Sequence, residues 1–294
     1  MWTMLSKKEF GDFKVASIQM ETKNSKEKNL SSAVKFIDIA AEKGAKIVCF
    51  HEYFLTGPPY QGLTVDSLRQ LAEPVPGPST EVLCNKAVEH GIYVVAGSII
   101  EVEKEDLFNT SALIGPNGKI IGKYRKTHPE NYLAKHEIGC GIKPGNDFPV
   151  FKTEFCTIGI MIDMDGTVPE VPRILAIKGA ELIFWPIQWS MRWARLIQPL
   201  CRAHAYMTQS YVIASNRVGI RETQTGVYPL LYGGGSTIAD PEGNIISSAS
   251  WHYPGVVIAD IDVVFLRCWR NEIIPRDYPL SRRPTLYGTI TSSK

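Results

Sequence analysis

Four stretches of this chain are apolar without alternation: Ile47–Phe50, Tyr93–Ala96, Ile158–Ile162 and Leu182–Trp185. A strand with one wet face alternates apolar and polar residues, whereas a strand covered on both faces reads as a continuous apolar run. Each run is short and bounded by glycine or polar residues, which predicts buried strands rather than helices.

The pattern repeats within the chain. Ala41–Phe50 reads AEKGAKIVCF and Ala176–Trp185 reads AIKGAELIFW, each the end of a helix closed by glycine and followed by a buried strand. Ser111–Ile121 reads SALIGPNGKII and Ser236–Ile246 reads STIADPEGNII, each a strand, a Pro-x-Gly turn and a returning strand. Between the members of each set lies a further helix and strand, AVEHGIYVVAGSII in the first half and CRAHAYMTQSYVIASNRVG in the second. The order strand, helix, strand, helix, strand, hairpin therefore occurs twice. Two αβ layers of this kind each leave a sheet face to bury, and packing sheet on sheet satisfies both. The expected fold is α/β, a four-layer α-β-β-α sandwich with internal pseudo-duplication. No low-complexity linker divides the halves, so residues 1–294 are expected to form one domain.

At 294 residues and 44% hydrophobic, the chain can bury a sizeable core. Its 32 basic and 30 acidic side chains are mixed along the sequence and leave a net charge of +2, no footprint for nucleic acid or an anionic membrane. A small-molecule partner is the expectation. No apolar run approaches the length of a membrane span, and the opening MWTMLSKKEFGDF has no signal-peptide pattern, which leads us to expect a cytoplasmic protein. Cys49, Cys84, Cys140, Cys156, Cys201 and Cys268 have no ligand-like spacing, which argues against a zinc site and a disulfide framework. Gly233–Ser236, GGGS, lacks the lysine and helix start of a phosphate loop, and no cofactor is expected.

Three charged residues follow the C-terminal ends of apolar strands, where open αβ sheets place ligands: Glu52, Lys126 and Asp163. Their surroundings carry a resemblance. His51–Gly57, HEYFLTG, resembles the glutamate motif of the nitrilase (carbon-nitrogen hydrolase) superfamily; Gly122–His128, GKYRKTH, resembles its lysine motif; Gly159–Glu170, GIMIDMDGTVPE, is similar to its nucleophile motif. The resemblance extends from Phe13 to about Asp262 and includes GAELIFWP, Ser215–Gly219 and Gly234–Gly243. It implies the four-layer sandwich and an amidase or N-carbamoyl amidohydrolase activity. It further implies Glu52 as general base, Lys126 with the backbone N–H of Met164 as oxyanion donors, and Glu137 as the glutamate that orients substrate and lysine. Asp165 keeps the family's acidic residue and is expected to pair with an arginine such as Arg173. Homodimers or larger assemblies are implied as well.

The chain departs from the family at the nucleophile, where Asp163 stands in place of cysteine. Cys156 begins the same strand and faces the other side by parity; Cys140, in the preceding loop, is expected to have no chemical duty. Carboxylate attack on an amide would give an anhydride, far less accessible than a thioester. Three readings stay open: a hydrolase in which Asp163 and Glu52 activate water, a binder without turnover, and a divalent-cation site on Glu52, Asp163 and Glu137. The last is disfavoured by repulsion from Lys126. A scaffolding role is the competing class. Substrate contacts are expected from Tyr53, Phe54, Pro58, Pro59 and Tyr60 after Glu52, from Met164, and from Trp185, Pro186, Ile187, Gln188 and Trp189; this aromatic rim suits a modest, partly apolar molecule. Arg192, Trp193 and Arg195, and the C-terminal tail at about 268–294, are expected at a subunit interface.

Overall fold

The structure, a computed structural model, describes residues 13–57, 64–131, 137–221, 230–273 and 282–292. Its strands run β1 (Phe13–Gln19), β2 (Ala45–Cys49), β3 (Tyr93–Val95), β4 (Ile99–Glu103), β5 (Asp106–Ile114), β6 (Ile120–Arg125), β7 (Ile142–Lys143) and β8 (Val150–Lys152). They continue with β9 (Thr157–Ile160), β10 (Leu182–Pro186), β11 (Tyr211–Ser215), β12 (Val218–Arg221), β13 (Leu230–Gly233), β14 (Thr237–Ala239), β15 (Ile245–Ser248) and β16 (Gly255–Ile261). The helices used below are α1 (Lys26–Glu42), α2 (Val65–Leu71), α3 (Pro78–His90), α4 (Glu170–Ile177), α5 (Met191–Ala194), α6 (Ile197–Thr208) and α7 (Val263–Cys268).

The expected duplication is present in the sheet order. In one sheet β1, β2 and β3 are parallel neighbours, β5 returns antiparallel against β3, and β6 pairs antiparallel with β5. In the other, β9, β10 and β11 are parallel, β14 is antiparallel to β11, and β15 to β14. Local chemistry explains the helix ends. Ser25 caps α1 by accepting from Lys28 N at 3.3 Å, and Asn29, Ala33, Ile37 and Ala40 form its buried stripe. Gly44 and Gly179, at φ +86° and +98°, turn the chain from α1 into β2 and from α4 into β10 in the left-handed region that glycine tolerates.

Strand parity sorts the apolar residues into three layers. Val15, Ile47, Cys49, Ile158, Leu182, Phe184 and Ile213 meet between the sheets. Their neighbours Ala16 and Val48 face Ala33, Ile37, Leu83 and Ala87 on α1 and α3, while Ile183, Trp185 and Val212 face Val171, Leu175 and Ala205 on α4 and α6. This is why the runs read as continuously apolar: one face packs on a sheet and the other on helices. Four layers result, with the C-terminal ends of β2, β9 and β10 together at one edge.

The start of the C-terminal tail is fastened to its own chain. Val263 and Leu266 of α7 enter the inter-sheet core, and Arg270 donates to Gln209 O and Ala180 O at 2.8 Å each. Beyond it Leu286 and Ile290 are exposed. Trp193 is exposed beside Arg192, whose guanidinium carbon lies 5.3 Å from its ring. Among the described residues no helix is long and apolar enough to cross a membrane.

Candidate active site

Three carboxylates, from Glu52, Glu137 and Asp163, converge on the ammonium group of Lys126. Lys126 Nζ donates to Glu137 Oε2 at 2.7 Å, to Glu52 Oε1 at 2.9 Å and to Asp163 Oδ2 at 3.3 Å. All four are at most 6% exposed. Each arrives by a different route: Glu52 just past β2, Lys126 just past β6, Asp163 just past β9, and Glu137 from the segment that opens into β7.

Asp163 sits on an elbow with φ +47°, a left-handed conformation that L side chains adopt at a cost. Several contacts hold it there. Trp185 Nε1 donates to Asp163 O at 2.9 Å, and His204 Nε2 donates to Gly166 O at 2.7 Å. Gly166 lies so close to the Trp185 indole that a Cβ would fall 2.2 Å from it. Asp165 ties the elbow to the lysine motif: its carboxylate accepts from Tyr124 at 2.6 Å, Ile162 N at 2.9 Å, and Thr127 Oγ1 and His128 N at 3.0 Å. These partners take the place of the expected Arg173. Two of them, Thr127 and His128, come from the short loop after Lys126, and His128 Nδ1 also lies 2.9 Å from Asp165 Oδ1.

The two glutamates differ in how their oxygens are used. Glu137 accepts from Tyr53 OH at 2.5 Å and Asn109 Nδ2 at 2.7 Å on one oxygen, and from Lys126 and from Glu130 N at 2.6 Å on the other. Four donors fix its position. Glu52 accepts from Asn109 Nδ2 at 2.8 Å and from Lys126 through the same Oε1, which leaves Oε2 outside these bonds. Burial, then the Asp163 carboxylate, push the Glu52 carboxyl well above the usual range, against the pull of Lys126. Burial raises Asp163 too, with Lys126 again opposing. Burial works against the Lys126 charge, but Glu137, Glu52 and Asp163 outweigh it and raise its pKa. Burial and mutual repulsion thus oppose simultaneous ionisation of Glu52 and Asp163, while Lys126 favours it. The ammonium fills the centre where a divalent cation would have to sit, so the carboxylates have no open place for one. Among the described residues the group with metal-ligand geometry is Asp38, Glu89 and His90, on the surface and already paired with Lys86.

The remaining candidates separate into those at the cluster and those behind it. Gln188 N points at Asp163 Oδ1 from 3.5 Å and its side chain donates to Glu52 O at 3.3 Å. Met164 is partly exposed beside the elbow. Tyr53, expected on the rim, is 1% exposed and spends its hydroxyl on Glu137. Trp185, also expected against substrate, is fully buried beneath the elbow and supports Asp163, while Trp189 packs edge-on against it at 5.3 Å; Pro186, Ile187 and Phe54 are buried too. Pro58, Pro59 and Tyr60 lie outside the described residues. Cys140 is buried in an apolar cluster with Tyr53 and Leu68, where burial raises its thiol pKa. Asn109, the bridge between the two glutamates, had no signal in the sequence beyond being one of the polar residues of strand β5, DLFNTSALI.

The sequence matches a known family over most of its length. The carbon-nitrogen hydrolase profile matches residues 14–271. The chain belongs to the carbon-nitrogen hydrolase family, within the nitrilase superfamily. Omega-amidase NIT2-B of Xenopus laevis is 33% identical over 284 residues, covering 94% of this chain and 96% of that one. A nitrilase from Pyrococcus abyssi is 35% identical over 257 residues, covering 86% and 91%. Among solved structures, a carbon-nitrogen hydrolase from Helicobacter pylori G27 superposes with a TM-score of 0.86 at 21% identity, covering 96% and 99%. Nit3 of Saccharomyces cerevisiae superposes at 0.76 and 25%, covering 90% and 95%. The nitrilase fold is therefore shared over nearly the whole chain.

Proposed function

We propose that this carbon-nitrogen hydrolase binds and hydrolyses the carboxamide or N-carbamoyl group of a small, partly apolar molecule, with Asp163 standing where the family places its cysteine nucleophile. The observation that carries the reading is the Lys126 ammonium held by Glu52, Glu137 and Asp163 at hydrogen-bond distance in a buried site. The names of the omega-amidase relatives support the substrate class.

In this reading no acyl-enzyme forms, because a mixed anhydride on Asp163 is too high in energy to be a useful intermediate. Water held between Glu52 Oε2 and Asp163 attacks the carbonyl carbon, and Glu52, with its raised pKa, takes the proton. Lys126 meets the negative charge that develops on the carbonyl oxygen, letting go of Asp163, its longest contact. Glu52 then returns the proton to the departing nitrogen, and a carboxylic or carbamic acid and ammonia or an amine are released. A second reading rests on the same contact. Asp163 already occupies the ammonium that the oxyanion needs, which favours binding without turnover.

The test is ammonia release from a panel of primary carboxamides and N-carbamoyl compounds by the chain, by Asp163→Cys and by Asp163→Ala. Turnover by the chain and none by Asp163→Ala supports direct water activation. Turnover by Asp163→Cys alone makes the present chain a binder on a thiol-amidase scaffold, and silence in all three, with no ligand bound, would sink the amide reading.

A further inference from the structure

At the ends of β1 and β11 the structure has a cavity of about 710 Å³, within the size range of small-molecule sites. None of the four cluster residues lines it. His51 links the two places: its Nδ1 donates to Glu52 O at 2.7 Å, and Thr22 Oγ1 lies 3.3 Å from its Nε2. Burial, with Arg217 nearby, pushes the imidazole down to about 3, so it stays neutral between them.

The walls of the cavity are fastened to one another. Arg217 lines it, is 1% exposed, donates to Thr22 O at 2.9 Å and stacks 4.1 Å over the Tyr232 ring. The loop that carries Lys23 is tied down by Asn29, which accepts from Lys23 N and donates to Lys23 O, both at 2.7 Å, and donates to Leu55 O at 2.6 Å. The turn that carries His252 is held by Gln19 Nε2, which donates to Ser250 O and Tyr253 O at 2.7 and 2.8 Å. Such ties fix the lining before any ligand arrives, which lowers the entropic cost of binding. The opposite side is apolar: Ile220 and Leu231, paired across β12 and β13, line the cavity and are 64% and 43% exposed.

We propose that this cavity is a second ligand site, which takes the carboxylate of a small organic acid on its Lys23 and Arg217 side and the acid's hydrocarbon body against Ile220 and Leu231. Among the described lining residues Lys23 and Arg217 are cationic and Glu21 is a carboxylate. Glu21 repels a phosphate dianion more strongly than a monoanion. The site does not depend on the chain's turning over an amide.

Isothermal titration of the full chain with hexanoate, beside inorganic phosphate, tests this. Hexanoate is expected to bind at one site. Lys23→Glu and Ile220→Asp, both at exposed positions, should each weaken it by about tenfold or more. Asp163→Asn should leave the affinity within about twofold, since the acid does not touch the cluster. Absence of hexanoate binding would overturn the proposal. So would affinity that follows Asp163→Asn and ignores Lys23→Glu, which places the acid at the cluster, or phosphate binding as tight as hexanoate, which makes the cavity a general anion trap.

Discussion

Glu52 and Ile187 each lie two residues beyond the last residue of an equivalent sequence unit, Phe50 in AEKGAKIVCF and Trp185 in AIKGAELIFW. Lys126 and Trp251 each lie five residues beyond the closing Ile-Ile of an equivalent hairpin, at Ile121 and Ile246. Val15 is in register with Ile47 and Ile158 with Leu182, so Asp163, five residues past Ile158, corresponds to Met20, five past Val15. The pseudo-symmetry thus relates a charged set, Glu52 and Lys126 from the first half with Asp163 from the second, to an uncharged set, Ile187 and Trp251 from the second half with Met20 from the first. Ile187 and Met20 are fully buried in the helix-facing cores, and Trp251 packs against one of them. The backbone offers the same strand-end geometry twice. Only one of the two sets uses it for charge, and there the apolar packing that holds the counterpart set is replaced by a network of ion pairs, although the two sets touch where Glu52 N donates to Ile187 O at 3.3 Å.

That difference predicts where the molecule is most vulnerable. Lys126→Met removes the cation and leaves Glu52, Glu137 and Asp163 facing one another in a buried site. Breaking a buried ion pair on one side costs about 3–5 kcal/mol. Urea denaturation at neutral pH should show a loss of this size. The loss should shrink as pH falls and the carboxylates take up protons, a recovery that ordinary repacking around a methionine would not give.

A smaller effect isolates Glu52. Its carboxyl is raised in the folded state by burial and by Asp163, so between the unfolded and folded values the native state binds more protons than the unfolded chain. Stability therefore falls as pH rises through that window, by at most about 1.4 kcal/mol per pH unit for one group. Glu52→Gln cannot titrate and should flatten the fall above pH 5. Parallel stability profiles for the two proteins would show that the glutamate is not shifted.

The fold was legible in the sequence because its two strongest signals, strands covered on both faces and a repeated helix–glycine–strand unit, are direct consequences of the layer packing. The site was legible in outline for a similar reason, since Glu52, Lys126 and Asp163 interrupt or follow apolar strands where a charge has no structural excuse. Its wiring was not legible. Asn109 looks like one polar residue in a long strand, and only the pleat of β5 shows that its amide turns toward the two glutamates. Trp185 and Tyr53 read as rim aromatics, yet the elbow and the Glu137 carboxylate draw their polar tips inward, as buried Trp and Tyr require. The partners of Asp165 come from a loop whose path no periodicity encodes. Sequence pattern reports which side of an element is buried; it does not report which neighbour a buried polar atom finds.

The smallest effect belongs to the apolar counterpart set, and it is the sharpest check on the comparison. If Met20 is there only to fill space, Met20→Leu nearly conserves volume and chemistry, and swaps of that kind cost less than about 1.5 kcal/mol. The residue is fully buried against Ile18, Phe50 and the α1 face, so any loss should appear in the denaturation midpoint alone. Affinity for a carboxamide at the cluster should not change, because no bond of the Lys126 network passes through Met20. A change in that affinity with an unchanged midpoint would mean that the two sets are coupled through the central strands. The apolar set would then be part of the site's support, and the pseudo-symmetry would carry function as well as packing.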